Sequence, residues 1–302
     1  MMANEIRNIL VPIDFTKENS NFLNVAAAIA KRHSAKVHFL NVVKSGLMGT
    51  GSAFSGKFYY HGNSLLADSE NKLDEQKEKF CKIYRGEVFT KCSVGSVAER
   101  IMDYAQNNWI DLIVLGVDYP KKRPGFISSN TYEVISNSEV PVITVPFSCR
   151  NSDFSELIYP VRDTEDAVSK LTPVLPIAKR NGSKIKLVGL ASEKGANSVN
   201  MVSNSVKFLR VKLAKQKLDC TVEEVLVTAK PAEEILEACE KSDADLVAVN
   251  VTTEKPITKI FSNNFTENII YKSKIPVLFF RKDKEQTPLE QYVKMPYPMI
   301  PV

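Results

Sequence analysis

Ala30-Lys31-Arg32-His33-Ser34-Ala35-Lys36-Val37 returns 148 residues later as Ala178-Lys179-Arg180-Asn181-Gly182-Ser183-Lys184-Ile185. Upstream, Ile9-Leu10-Val11-Pro12-Ile13 pairs with Leu157-Ile158-Tyr159-Pro160-Val161 at the same spacing. Downstream the spacing shortens to 134. Val97-Ala98-Glu99-Arg100-Ile101 pairs with Pro231-Ala232-Glu233-Glu234-Ile235, and Asp111-Leu112-Ile113-Val114 with Asp245-Leu246-Val247-Ala248. Val140-Pro141-Val142-Ile143 and Ile275-Pro276-Val277-Leu278 close the series. The chain is a duplication, and an internal repeat outranks other signals in assigning a fold.

The drift in spacing gives the first copy about 14 extra residues between 43 and 97. Gly46, Gly49, Gly51, Gly56 and Gly62 fall in that interval. Glycine favours irregular backbone, so a mobile surface loop is expected over 45–63, a lid over a site being the functional alternative. The units expected are residues 5–148, residues 153–282 and a Pro-rich tail over 283–302. That tail is expected to be extended, free or laid along another surface.

Each copy alternates short apolar runs with helical periodicity. In the first, strands are expected over 7–13, 37–43, 87–93, 112–115 and 142–145. Helices are expected after a Thr16 or Asn19 cap, then over 64–85, 97–107 and 130–136. In the second, strands fall over 157–161, 184–190, 221–226, 245–249 and 276–280, and helices over 165–180, 196–217, 231–240 and 264–271. This order predicts an α/β fold with two tandem five-stranded parallel sheets, helices on both faces. Ligands then belong beyond the carboxyl ends of the strands.

The 302 residues are 44% hydrophobic and 25% charged, enough to bury a large core and too apolar for disorder. A net charge of +5 over such a length is too dilute for a nucleic-acid surface. No apolar run approaches a membrane helix, and the first residues lack a signal-peptide core, so the cytoplasm is expected. Cys81, Cys92, Cys149, Cys220 and Cys239 are odd in number and widely spaced, which argues for free thiols. His33, His38 and His61 form no metal-ligand spacing. Trp109 is expected to pack in the core or at its margin.

Four segments in order resemble one family. Ile9-Leu10-Val11-Pro12-Ile13-Asp14-Phe15-Thr16 resembles a first strand and acidic turn. Gly95-Ser96-Val97-Ala98-Glu99-Arg100-Ile101 resembles the opening of a third helix. Asp111-Leu112-Ile113-Val114-Leu115-Gly116 resembles a fourth strand. Ser128-Ser129-Asn130-Thr131 followed by Val140-Pro141-Val142 resembles a phosphate-binding turn, its helix and a last strand. The chain thus resembles a tandem universal stress protein, over residues 5 to 282. The resemblance implies an adenine-nucleotide alpha-hydrolase-like fold and an internal pseudo-dimer paired through last strands. It also implies a stress-response role exercised by binding, not turnover. A homodimer and a further protein partner are compatible with it; nucleic acid and membrane are not expected.

Nucleotide binders of that family share a G-x2-G-x9-G-[ST] pattern, in which backbone amides and a helix N-terminus hold phosphates. Carried over, the site is Pro12, Asp14, Val42, Leu115, Gly116, Ser128, Ser129 and Asn130, for ATP or AMP. The sequence departs from the pattern. Tyr119 replaces the second glycine and Ser128 the third, with Lys121-Lys122-Arg123 between them. In the second copy Arg162 takes the position of Asp14, Asn250 that of Gly116, Thr253 the second glycine and Asn263-Asn264 the Gly-Ser pair. Asp14 and Ser128-Ser129 can equally be helix caps. Three alternatives stay open: an ATP-binding switch in the first copy, an interaction module with side-chain-filled pockets, and an adenylating enzyme.

Overall fold

Among the described residues eleven strands form one sheet in the order β3-β2-β1-β4-β5-β11-β10-β6-β7-β8, with β9 also on β7. The computed structural model describes residues 5–15, 20–44, 56–117, 129–162, 169–193, 197–223, 225–251 and 265–281. The first half comprises β1 (Asn8–Pro12), α1 (Ser20–His33), β2 (Lys36–Val43), α2 (Gly56–Cys81), β3 (Val88–Val94), α3 (Val97–Asn107), β4 (Leu112–Val117), α4 (Ser129–Asn137) and β5 (Val142–Pro146). The second comprises β6 (Glu156–Arg162), a 3-10 turn (Ser169–Val174), α5 (Leu175–Asn181), β7 (Lys184–Ala191), α6 (Ser198–Lys215), β8 (Cys220–Val222), β9 (Leu226–Val227), α7 (Pro231–Lys241), β10 (Leu246–Asn250), α8 (Phe265–Lys272) and β11 (Val277–Phe280). Within each half every strand pair is parallel.

The halves meet where β5 and β11 pair antiparallel. This is the internal pseudo-dimer, joined through the last strands. It turns two sheet edges into a ladder and removes them as aggregation templates. The central strands read as continuous apolar runs because both faces are covered. One face carries α1, α2, α5 and α6 over Phe22, Phe39, Phe80, Leu187 and Leu209, with residues of both halves in a single core. The other carries α3, α4, α7 and α8 over Leu10, Ile101, Ile235 and Ile269.

The helix expected over 165–180 is divided instead. Pro173 lies inside the 3-10 turn and Pro176 at the start of α5, and proline lacks the N–H an α-helix interior needs. The strand expected over 221–226 is split as well. Cys220 pairs with Ile185 and Leu226 with Leu190, so the edge carries one residue more than β7 between the two contacts. That is a bulge, and it bends over Gly189, where Val225 and Val202 crowd the space a Cβ would take.

Three further expectations are changed or displaced. Residues 56–63 are the start of α2, so the latter part of the expected glycine loop is helical; residues 45–55 lie outside the described residues. The caps Thr16 and Asn19 and the tail 283–302 lie outside them too. Trp109 is not a core residue: it is 81% exposed. It occupies a left-handed turn (φ 53) after α3, and its neighbour Ile110 takes the buried place.

Candidate functional site

The strand order reverses between β1 and β4, and a crevice opens beyond their carboxyl ends. A cleft of about 650 Å³ lies there. Pro12, Asp14, Val42, Leu115, Gly116 and Asn130 all line it, so six of the eight carried-over residues come together. Ser129 opens α4 and is exposed, off the lining; Ser128 lies outside the described residues, as do Tyr119, Lys121-Lys122-Arg123, Thr253 and Asn263-Asn264.

The floor is fixed from β2. The buried Asn41 donates its Nδ2 to the Ile13 carbonyl at 2.7 Å, and Ile13 N donates to Leu40 O at 2.9 Å. Those bonds hold the turn that presents Asp14. Phe15, next in the chain, adopts a left-handed backbone at φ 57, a conformation that costs an aromatic residue energy and recurs where function over-determines the chain. Sequence reasoning missed Asn41. Its counterpart in the second copy is Gly189, which cannot make that bond. From the far wall α2 contributes Asp68 and Lys72, an ion pair at 2.6 Å.

Gly116 serves packing. A Cβ there would overlap the Phe147 ring and come within 3.1 Å of Phe22 Cδ1. The two rings meet edge to face with centroids 6.2 Å apart. Phe147 is held by its amide on Val117 O at 3.0 Å and by Asn21 Nδ2 on its carbonyl at 3.1 Å. The space beside Gly116 is thus taken by an aromatic side chain.

The second half is different in kind. Arg162, the counterpart of Asp14, ends β6 with its guanidinium 4.5 Å from the centroid of the Phe265 ring. Phe265 opens α8 at the position of Asn130 and is buried. The two positions that line the first cleft are thus a stacked cation–π pair in the second. Asn250, in place of Gly116, buries an Oδ1 that has no hydrogen-bond partner.

The universal stress protein family matches residues 5–146 and again 157–281. The chain belongs to that family. A solved structure of a universal stress protein from Archaeoglobus fulgidus DSM 4304 superposes with a TM-score of 0.73, covering 92% of this chain and 100% of that one at 17% identity. A functionally unknown protein, PA1789, from Pseudomonas aeruginosa PAO1 gives 0.61, covering 92% and 93% at 15% identity. At such identities the likeness is one of fold.

Among the described residues no group of three or more His, Cys, Asp and Glu side chains is placed to hold a metal. All five cysteines are free thiols; burial pushes Cys92 up to about 11 and Cys239 up to about 12, far from the thiolate a nucleophile requires. No helix among the described residues is long and apolar enough to cross a membrane.

Proposed function

We propose that the chain acts by binding, in a stress-response or regulatory role, with one working cleft in its first half and a second half that supplies the pseudo-symmetric partner. The observation that carries this reading is the exchange of Asp14 and Asn130 for the stacked Arg162 and Phe265. Asp14 offers a carboxylate at a strand end, and the turn it sits on is pinned by Asn41. Val42 and Leu115 give the cleft apolar walls of a kind that suits a planar base. The described residues fit a nucleoside better than a polyphosphate, because Phe147 fills the space beside Gly116. AMP is therefore the favoured adenine nucleotide over ATP, and an ATP-hydrolysing switch is the weaker reading.

The test is calorimetric titration of AMP and ATP into the whole chain and into Asp14→Ala, with native mass spectrometry for ligands carried through purification. Loss of a charge-assisted contact costs about 1.5–3 kcal/mol, roughly ten- to a hundredfold in affinity. AMP binding weakened to that extent by Asp14→Ala supports the reading. AMP binding untouched by Asp14→Ala places the ligand elsewhere. No binding of either nucleotide leaves the side-chain-filled interaction module as the better account.

A further inference from the structure

Among the described residues the sheet changes direction only at the β5–β11 junction. The carboxyl ends of the second-half strands therefore share an edge with the amino ends of the first-half strands. Arg281, the last described residue, leaves β11 on that edge. Beyond β5 the same edge presents the starts of β4, β1, β2 and β3 in turn.

Those starts carry a row of linked residues with an exposed ring at each end, Trp109 and Phe89, and the buried His38 between them. The Trp109 carbonyl, in the turn into β4, accepts from Asn8 Nδ2 at 3.2 Å. Asn8 Oδ1 lies 3.5 Å from His38 Nε2. His38 stacks on Phe89 with centroids 4.9 Å apart, and its Nδ1 meets the Tyr104 hydroxyl at 3.1 Å. Trp109 at 81% and Phe89 at 41% are exposed. The row crosses four strands, roughly 15 Å.

The fold does not demand these rings. In the second copy Trp109, His38 and Tyr104 correspond to Asp243, Lys186 and Ala238, and the same elements form. Asp243 even repeats the left-handed turn, at φ 49. A large exposed aromatic with no packing duty is the kind of residue that anchors an interface.

An occupant follows Arg281 directly. After the polar stretch Lys282-Asp283-Lys284-Glu285-Gln286, the sequence runs through Tyr292-Val293-Lys294-Met295-Pro296-Tyr297-Pro298-Met299-Ile300-Pro301-Val302. The family match stops at residue 281, so this segment is an addition to the shared domain. We propose that residues 287–302 dock on the aromatic row of their own chain, with Trp109 as the anchor. Prolines hold an extended helix that binds at low entropic cost, and aromatic-lined surfaces are what such segments recognise. The reach suffices: β4 lies two strand spacings from β11, about 10 Å, and residues 282–286 span about 15 Å at the polyproline rise.

Trp109 is the single tryptophan, so its fluorescence reports one position. The intact chain is compared with a full-length variant carrying Tyr297→Glu, Met299→Glu and Ile300→Glu. The proposal expects a blue-shifted emission maximum and weak acrylamide quenching in the intact chain, both lost in the variant. Identical spectra and quenching in the two, solvated or protected alike, overturn it. Protection that vanishes on dilution also overturns it, in favour of a segment from a second copy. A second measurement uses trypsin at Lys294: cleavage should accelerate in Trp109→Ala, and an unchanged rate counts against the contact.

Discussion

Ile143 and Leu278 face each other across the antiparallel junction, and they are the same position of the repeat. The flanking pairs, Val142 with Phe279 and Thr144 with Val277, are images of one another. The pseudo-twofold axis therefore passes between Ile143 and Leu278. At this junction the symmetry is broken at Thr144. Thr144 is fully buried and its Oγ1 has no partner, whereas its image is Phe279. An unpaired buried hydroxyl costs about 1–3 kcal/mol. Thr144→Val keeps the shape and removes that hydroxyl, so the urea midpoint should rise. A midpoint that falls would show that the hydroxyl is bonded after all.

His33 sets a pH dependence. It lies at the end of α1 with only 9% of its surface exposed, and its Nε2 has no partner. Burial first, then Arg180 and Arg32, hold its pKa down to about 4, with Glu5 opposing. Arg32 is itself engaged, bonding the Ser152 carbonyl and pairing with Asp153 at 3.1 Å. The unfolded chain binds this proton near pH 6.5, before the folded one does. Stability is therefore complete above 6.5 and falls as the pH drops from there toward 4. Over the full window the loss is about 3 kcal/mol. The second copy has Asn181 here. His33→Asn should flatten that part of the stability profile, measured by denaturant unfolding at several pH values. A slope unchanged in the variant assigns the effect to other groups.

Asp245 ties the second half to its own first strand. Its Oδ2 accepts from Ser155 N at 2.9 Å, Ser155 Oγ at 3.0 Å and Asn151 Nδ2 at 3.4 Å, and its Oδ1 from Glu156 N at 3.1 Å. Asp111 repeats the device, with Oδ2 accepting from Arg7 N at 2.8 Å and Asn8 N at 2.9 Å. The difference is burial: Asp245 is 4% exposed, and Asp111 sits on a wetter surface. Asp245→Ala strands four donors and should cost about 3–5 kcal/mol. Asp111→Ala should cost less. Chemical unfolding of both variants checks the order, and equal losses would refute it.

The duplication and the alternation of strands and helices were legible in the sequence, because apolar runs and matched turns recur at fixed spacing; the joining of last strands was legible only through the family resemblance. The Asp-Leu-Ile-Val motif was legible as a strand start, but the bonds its aspartate makes were not. They join residues about a hundred positions apart, and no local pattern encodes them. Asn41 was silent for the same reason: an asparagine inside a strand looks like a lapse until the Ile13 carbonyl is placed above it. Trp109 misled because ring size argues for burial while the left-handed turn at that position turns the ring out. The breaks at 169–181 and 220–227 were readable in part from Pro173 and Pro176; the bulge over Gly189 is a tertiary effect.

Phe147 should govern which nucleotide the cleft prefers. On the reading proposed above a phosphate would approach the bare backbone of Gly116; the Phe147 ring fills the space beside it, with Phe22 packed against that ring. Phe147→Ala opens that space beside the end of β4 without touching Asp14, Asn41 or Val42. The backbone amide of residue 147 still bonds Val117 O, so the strand end keeps its ladder contact. ATP affinity should then gain on AMP affinity, by roughly tenfold if one charge-assisted contact is recovered, equal to about 1.4 kcal/mol. Some stability is lost with the ring, and Gly116→Ala supplies the control. In the parent it overlaps Phe147 and should destabilise by about 1–3 kcal/mol. Combined with Phe147→Ala that penalty should largely disappear, because the overlapping ring has gone. Calorimetry of both nucleotides against the single and double variants reads the two effects separately. If Phe147→Ala leaves the ATP-to-AMP ratio where it was, Gly116 is glycine for packing alone and the cleft is not built around phosphate at all.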